Sequence, residues 1–167
     1  MNSAQEIIQH LALQPHPEGG YFKETYRNPH QIPASELGAD YSGARNYATS
    51  IYFLLTQGNF SAFHKIVQDE QWHFYDGATL WLHMISPEGE YKRIEIGRNI
   101  AAGEVPQFTV PGGYWFGAEV KEGGEFSFVG CTVAPGFDFD DFEMPSQEDL
   151  LAMYPQHENI IRKLTRA

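Results

Sequence analysis

Apolar and polar residues alternate in short runs along most of the chain, and turn residues separate the runs at close spacing. Gly20–Arg27 sets Phe22, Glu24 and Tyr26 against Tyr21, Lys23 and Thr25, the two-residue period of a strand. Asn46–Leu55 follows, then Phe60–Val67 and Gln71–Tyr75, all rich in aromatic and β-branched types. Asp76-Gly77 is a hairpin signal before Thr79–Ser86, and Pro87-Glu88-Gly89 turns into Tyr91–Ile96. Gln107–Val110, Tyr114–Val120 and Glu125–Ala134 complete about nine strands. A helical period appears only at the ends. Ser3 and Glu6 make a capping box for a helix over Ser3–Leu13, with Ile7, Ile8 and Leu11 on one face. Ser146 starts a last helical region, broken before Pro155 and resumed to about Leu164. Asn28–Arg45 has no period; it reads as a long loop, either a lid or interface arm or a mobile surface segment. The pattern predicts one all-β domain, a sandwich or barrel over residues 1–167, with its core at about 20–143.

Composition narrows the partners. Aromatics make up 14% of the 167 residues, and 16 Gly with 10 Pro suit many strands and turns. Net charge is −11 with no basic stripe, so nucleic acid is excluded as a partner. No apolar run approaches the roughly 18 residues of a membrane span, and no signal-peptide pattern opens the chain. The single cysteine, Cys131, suits a reducing cytoplasm and reads as a buried core thiol. Asp138, Asp140, Asp141, Glu143, Glu148 and Asp149 read as a solvated acidic face.

The chemistry concentrates in Gly58–Gly77, GNFSAFHKIVQDEQWHFYDG. Strand alternation puts Phe60, Ala62, His64 and Ile66 on one face and Ser61, Phe63 and Lys65 on the other. In the next run Glu70, Trp72 and Phe74 share a face and His73 points away. An imidazole and a carboxylate then meet inside an apolar cavity, either satisfying each other or awaiting a ligand.

This stretch resembles the first cupin motif, G-x5-H-x-H-x3-E-x6-G, with Gly58, His64, Glu70 and Gly77 at the family's spacings and Ile66 at its second histidine. A second half resembles P-x-G-x2-H around Pro111-Gly112-Gly113, with Phe116 at the histidine position. His16–Pro29 and Val129–Glu143 are similar to one cupin family catalogued as a domain of unknown function. The resemblance implies a double-stranded β-helix jelly roll with short helices at both ends. It also implies that two of four usual metal ligands are apolar here. No cofactor is therefore expected; a divalent metal, if held, would use His64 and Glu70.

By parity Tyr114 faces inward with Phe116, giving a cavity with Ile66, Trp72, Phe74 and Phe116 as substrate-binding walls and His64, Glu70 and Tyr114 as convergent polar groups. The resemblance extends to metal-free nucleotide-sugar epimerases, which use a histidine base, a tyrosine acid and a carboxylate behind the histidine. It implies a metal-independent isomerase or epimerase acting on a sugar-like or small carbonyl substrate, with His64, Tyr114 and Glu70 in those catalytic roles. Lys65 points outward, leaving Arg27, Arg45 and Lys23 as remote phosphate anchors. Two alternatives stand beside it: a non-catalytic ligand-binding or sensing cupin, and a metal-dependent oxygenase-type cupin. Glu18 and Tyr21 border a pocket or a contact, without an assigned catalytic role. A homodimer through Phe63 and the Tyr21–Tyr26 strand completes the expectation.

Overall fold

The computed structural model describes residues 2–167. Helix α1 (Ala4–Leu11) carries the expected capping box, Ser3 and Glu6 bonding each other's backbone N–H groups. Twelve strands follow: β1 (Gln14–Pro15), β2 (Tyr21–Arg27), β3 (Gln31–Ile32), β4 (Arg45–Asn46), β5 (Thr49–Thr56), β6 (Phe60–His64), β7 (Glu70–Gly77), β8 (Leu80–Ile85), β9 (Tyr91–Ile96), β10 (Gln107–Val110), β11 (Trp115–Val120) and β12 (Phe126–Val133). The nine longer ones are those the alternation predicts; β1, β3 and β4 are two-residue pairings inside segments without a period. Ser146 caps α2 (Gln147–Met153), and α3 (Glu158–Lys163) resumes after a short turn at Pro155–His157.

Two sheets face each other. One runs β1-β2-β5-β12-β7-β10 and the other β6-β11-β8-β9, a jelly-roll arrangement. Their inner faces bury Phe53, Leu55, Trp72, Leu82, Phe116, Val129 and their neighbours as the main core. Helix α1 covers the outer face of the larger sheet at Leu54 and Phe126. Helices α2 and α3 cover the outer face of the smaller one, where Phe63 packs with Trp115, Leu150 and Ile161. No helix among the described residues is long and apolar enough to cross a membrane.

The structure corrects four local expectations. Asp76-Gly77 does not close a hairpin, because β7 and β8 lie in different sheets; the dipeptide specifies a local reversal, not the partner of the next strand. Phe63 does point out of the barrel but is fully buried under α2 and α3, so it offers no dimer contact. Asp141 is buried in the predicted acidic face, bound by both Nε and Nη2 of Arg45 at 2.7 Å.

The fourth concerns β6. His64 pairs with Phe116 and Ser61 with Ala118, so three steps on β6 oppose two on β11. This bulge inserts one extra residue and resets the alternation. Ser61 therefore shares the inner face with His64, and Ala62 becomes the bulged residue. Its N–H donates to Glu18 O at 2.8 Å. Opposite stands Gly117, where a Cβ would press on the Ser61 carbonyl.

Candidate active site

At one end of the barrel the sheets part around a cavity of about 300 Å³. Its walls come from β2 (Phe22, Glu24, Arg27), β6 and the residue just past it (His64, Ile66), β7 (Glu70) and β12 (Cys131, Val133). The segment after β12 adds Phe137, Phe139 and Phe142, and the turn before β2 adds His16 and Glu18.

His64 sits at its base, 3% exposed. Phe116 lies against its ring at 4.1 Å and Phe142 stacks on it at 5.3 Å. Its Nδ1–H donates to Ala62 O at 2.7 Å, and its Nε2 meets Glu18 Oε2 at 2.9 Å. Two acceptors on two ring nitrogens require two N–H groups, so the geometry selects an imidazolium. Burial opposes that charge, but the Glu18 carboxylate and its hydrogen bond outweigh it and raise the ring above its ordinary value. Burial likewise opposes the Glu18 charge, and His64 overrides it, holding the carboxyl below its ordinary value. The Ser61 hydroxyl assists Glu18 weakly: it favours the carboxylate but meets no hydrogen-bond geometry.

His64 therefore pairs with Glu18 and not with Glu70, the partner expected from the motif. The turn His16–Gly20 explains why. Gly19 and Gly20 take φ of 114° and 76°, a left-handed pair that residues with a Cβ rarely adopt. This reversal carries Glu18 over the bulge of β6. Arg166 holds it from behind through Glu18 O at 3.2 Å and Phe60 O at 3.3 Å. The consecutive glycines after His-Pro-Glu are the signal in the sequence, but the contact spans some forty residues and no local period encodes it.

Glu70 is left as a buried carboxyl, 9% exposed, without an ion-pair partner among the described residues. Burial pushes it up to about 7, against the lesser pull of the His64 charge. Beside it, burial and the Glu70 charge raise the Cys131 thiol well above its ordinary value, which makes it a poor nucleophile.

Of the other expected site residues, Ile66 lines the cavity. Trp72, Phe74 and Phe116 face inward, but they pack into the core instead of forming the cavity wall. Tyr114 does not line the cavity. It lies just ahead of β11 and packs against the main core, inward as its parity with Phe116 predicts, but off the cavity wall. Arg27 reaches the cavity but is clamped bidentately to Glu24 at 2.9 Å. Arg45 is spent on Asp141. Lys23 is exposed and outside the lining. The loop Asn28–Arg45 does not reach the cavity; it braces the Phe137–Phe142 segment through Arg45 and Asp141, with Gln68 adding a 2.7 Å bond to Asp141.

The donor set does not fit a cupin metal. Ile66 and Phe116 fill two ligand positions, and His64 has both nitrogens engaged. No group of three or more His, Cys, Asp or Glu among the described residues is placed to hold an ion.

Comparison with known proteins agrees with this architecture. The family described as "Cupin superfamily (DUF985)" matches residues 5–145. An uncharacterized protein of Saccharomyces cerevisiae, YML079W, is 33% identical over 159 residues, covering 90% of this chain and 79% of its own. Protein SO0799 of Shewanella oneidensis is 47% identical with a TM-score of 0.90, covering 99% of both chains. A hypothetical protein from Leishmania major is 38% identical with a TM-score of 0.91, over 99% of this chain and 100% of that one. An oxalate decarboxylase from Bacillus subtilis aligns at 16% identity and a TM-score of 0.55, over 91% of this chain and 37% of that one; it shows the fold alone.

Proposed function

Because the chain belongs to the cupin superfamily, in its DUF985 family, we propose that its barrel end is a small-molecule site. There Glu70, not His64, moves a proton on a sugar-like or small carbonyl substrate, as a metal-independent isomerase or epimerase. The observation that carries this reading is Glu70 itself. A carboxyl in an aromatic cavity, with no ion-pair partner among the described residues and a pKa of about 7, is poised to take and return protons at neutral pH. The base expected at His64 is redistributed: that ring is committed to Ala62 and Glu18, and its charge favours the carboxylate form of Glu70. The cavity lies at the small end of the ~300–1,000 Å³ range of ligand sites, a space for one compact metabolite.

The test starts from whatever metabolite the native protein retains through purification, identified by unbiased mass spectrometry. Incubated with fresh protein in heavy water, it should gain deuterium at carbon, and Glu70→Gln should abolish that gain while retaining the metabolite. A ligand that emerges unlabelled makes the protein a binding module instead. Elemental analysis after extensive dialysis should find no stoichiometric metal; near-equimolar iron, manganese, zinc or nickel would overturn the metal-independent part.

A further inference from the structure

Among the polar groups of the cavity wall, His16 has so far been given no role. Its Nδ1 accepts the Glu18 backbone N–H at 3.1 Å. That bond fixes the tautomer: with the Nδ1 lone pair in use, the neutral ring carries its proton on Nε2. Nε2 has no partner among the described residues. The turn that orients the ring is itself closed, by His16 N to Gly20 O at 2.9 Å and Gly19 N to His16 O at 3.0 Å. Phe22 meets the ring edge-on at 4.6 Å and Phe53 at 6.0 Å. The side chain is only 8% exposed. Burial holds its pKa below the ordinary value, with Glu18 pulling the other way, so the ring stays neutral at neutral pH.

The charges around it point to the ligand's own charge. Arg27 and His64 are the cationic groups of the wall, and each is already paired, with Glu24 and Glu18. Asp138 and Glu70 also line the wall, so four carboxyl groups face two cations there. A phosphate or carboxylate entering this space meets no free cation and an excess of acid.

Resting on the proton-transfer reading above, we propose that His16 Nε2–H is the donor that receives the carbonyl oxygen of the substrate, and that the substrate is an uncharged polyhydroxy carbonyl compound. The step balances without a further reactant. Glu70 takes the proton from the carbon beside the carbonyl, and the C–H electron pair becomes the new C=C bond. The carbonyl π pair moves onto oxygen, where His16 Nε2–H holds the charge by hydrogen bonding. The proton of the adjacent hydroxyl then passes to the enolate oxygen, and the O–H pair it leaves forms the new C=O. The C=C pair takes the proton from Glu70 at the former carbonyl carbon; return to the original carbon restores the substrate. A neutral imidazole suits this role, since it donates without being titrated away.

The probes are dihydroxyacetone, xylose and fructose, each beside its phosphate ester. Saturation-transfer NMR with the native protein should show the uncharged members bound and the esters at least about tenfold weaker. His16→Asn keeps an acceptor near the Nδ1 position for the Glu18 N–H but places no donor at the reach of Nε2; it should weaken probe binding and slow deuterium exchange by ~10²-fold. Because that variant alters a tight turn, the native protein supplies a second measurement. ¹⁵N NMR of the His16 ring at pH 7 should show the neutral Nε2–H tautomer, with Nε2 shifting on addition of dihydroxyacetone or fructose. Esters that bind as well as the parent compounds, uncharged probes that do not bind, an Nδ1–H or doubly protonated ring, or an unchanged His16→Asn would each overturn the proposal. Failure of the underlying reading looks different: the uncharged probes bind and shift Nε2, yet no deuterium enters, or Glu70→Gln exchanges as fast as the native protein.

Discussion

Replacing Glu70 with Gln is expected to make the protein more stable, by an amount that grows with pH. In the unfolded chain this carboxyl has its ordinary value of 4.5, whereas burial in the barrel pushes it up to about 7. The sign follows from that order. Below pH 4.5 both states hold the proton and Glu70 is neutral to stability. Between 4.5 and 7 only the unfolded chain releases it, so the folded state loses ground. Above 7 the penalty is complete: the step from 4.5 to about 7, at ~1.4 kcal/mol per pKa unit, comes to about 3.5 kcal/mol. Glutamine keeps the shape and never ionises. Urea unfolding of both proteins, compared at equal m-values, should therefore give a difference below about 1 kcal/mol near pH 5 that rises to about 3 kcal/mol by pH 8. A gain in stability at the position whose replacement stops exchange is the trade-off expected of a group held for function. A difference that does not change with pH, or a Gln variant less stable than the parent at pH 8, would refute the reasoning.

Breaking the His64–Glu18 pair should do the opposite. His64→Asn strands a buried carboxylate and should cost ~3–5 kcal/mol in denaturant unfolding. The loss should be widest between the ordinary values of 4.5 and 6.5, narrowing as pH rises through the raised His64 value or falls through the lowered Glu18 value. Arg45→Met leaves Asp141 uncompensated and should cost a similar ~3–5 kcal/mol, with early proteolysis at Phe137–Phe142 as its signature. Phe63→Ala should cost ~3–5 kcal/mol through its cavity and release α2 and α3 to limited proteolysis; an unchanged Tm would show those helices to be loosely docked. With Phe63 covered, the expected homodimer has the Tyr21–Arg27 strand left to use, where Tyr26 is half exposed. Sedimentation equilibrium should show a dimer at micromolar concentration, and a clean monomer removes that expectation.

The strands were legible because each is a local pattern: alternation placed Glu70, Trp72 and Phe74 inward and His73 outward, as observed. The capping box at Ser3 and Glu6, and the break at Pro155, are equally local. The site was legible only in half. Glu70 and His64 stood out by their spacing, but the partner of His64 arrives from a turn some forty residues earlier. The bulge that seats it reverses Ser61 without leaving any mark in the polarity pattern. Tyr114 was read inward and does pack against the core, but alternation gives a face and not a depth, and it stops short of the cavity wall. His16 passed unremarked because a lone histidine before a proline gains meaning only from the backbone N–H it accepts.

The bulge in β6 also makes residue count, and not only residue identity, a determinant of the site. An alanine scan passes over Ala62 in silence, since there is nothing to replace. Deleting that one small residue would let β6 and β11 pair one for one again with Ser61, Phe63 and His64 all on their present sides. What would go is backbone: the carbonyl that accepts from His64 Nδ1 and the N–H that donates to Glu18 O. A chain one alanine shorter would thus keep every side chain of the site and lose what seats two of them.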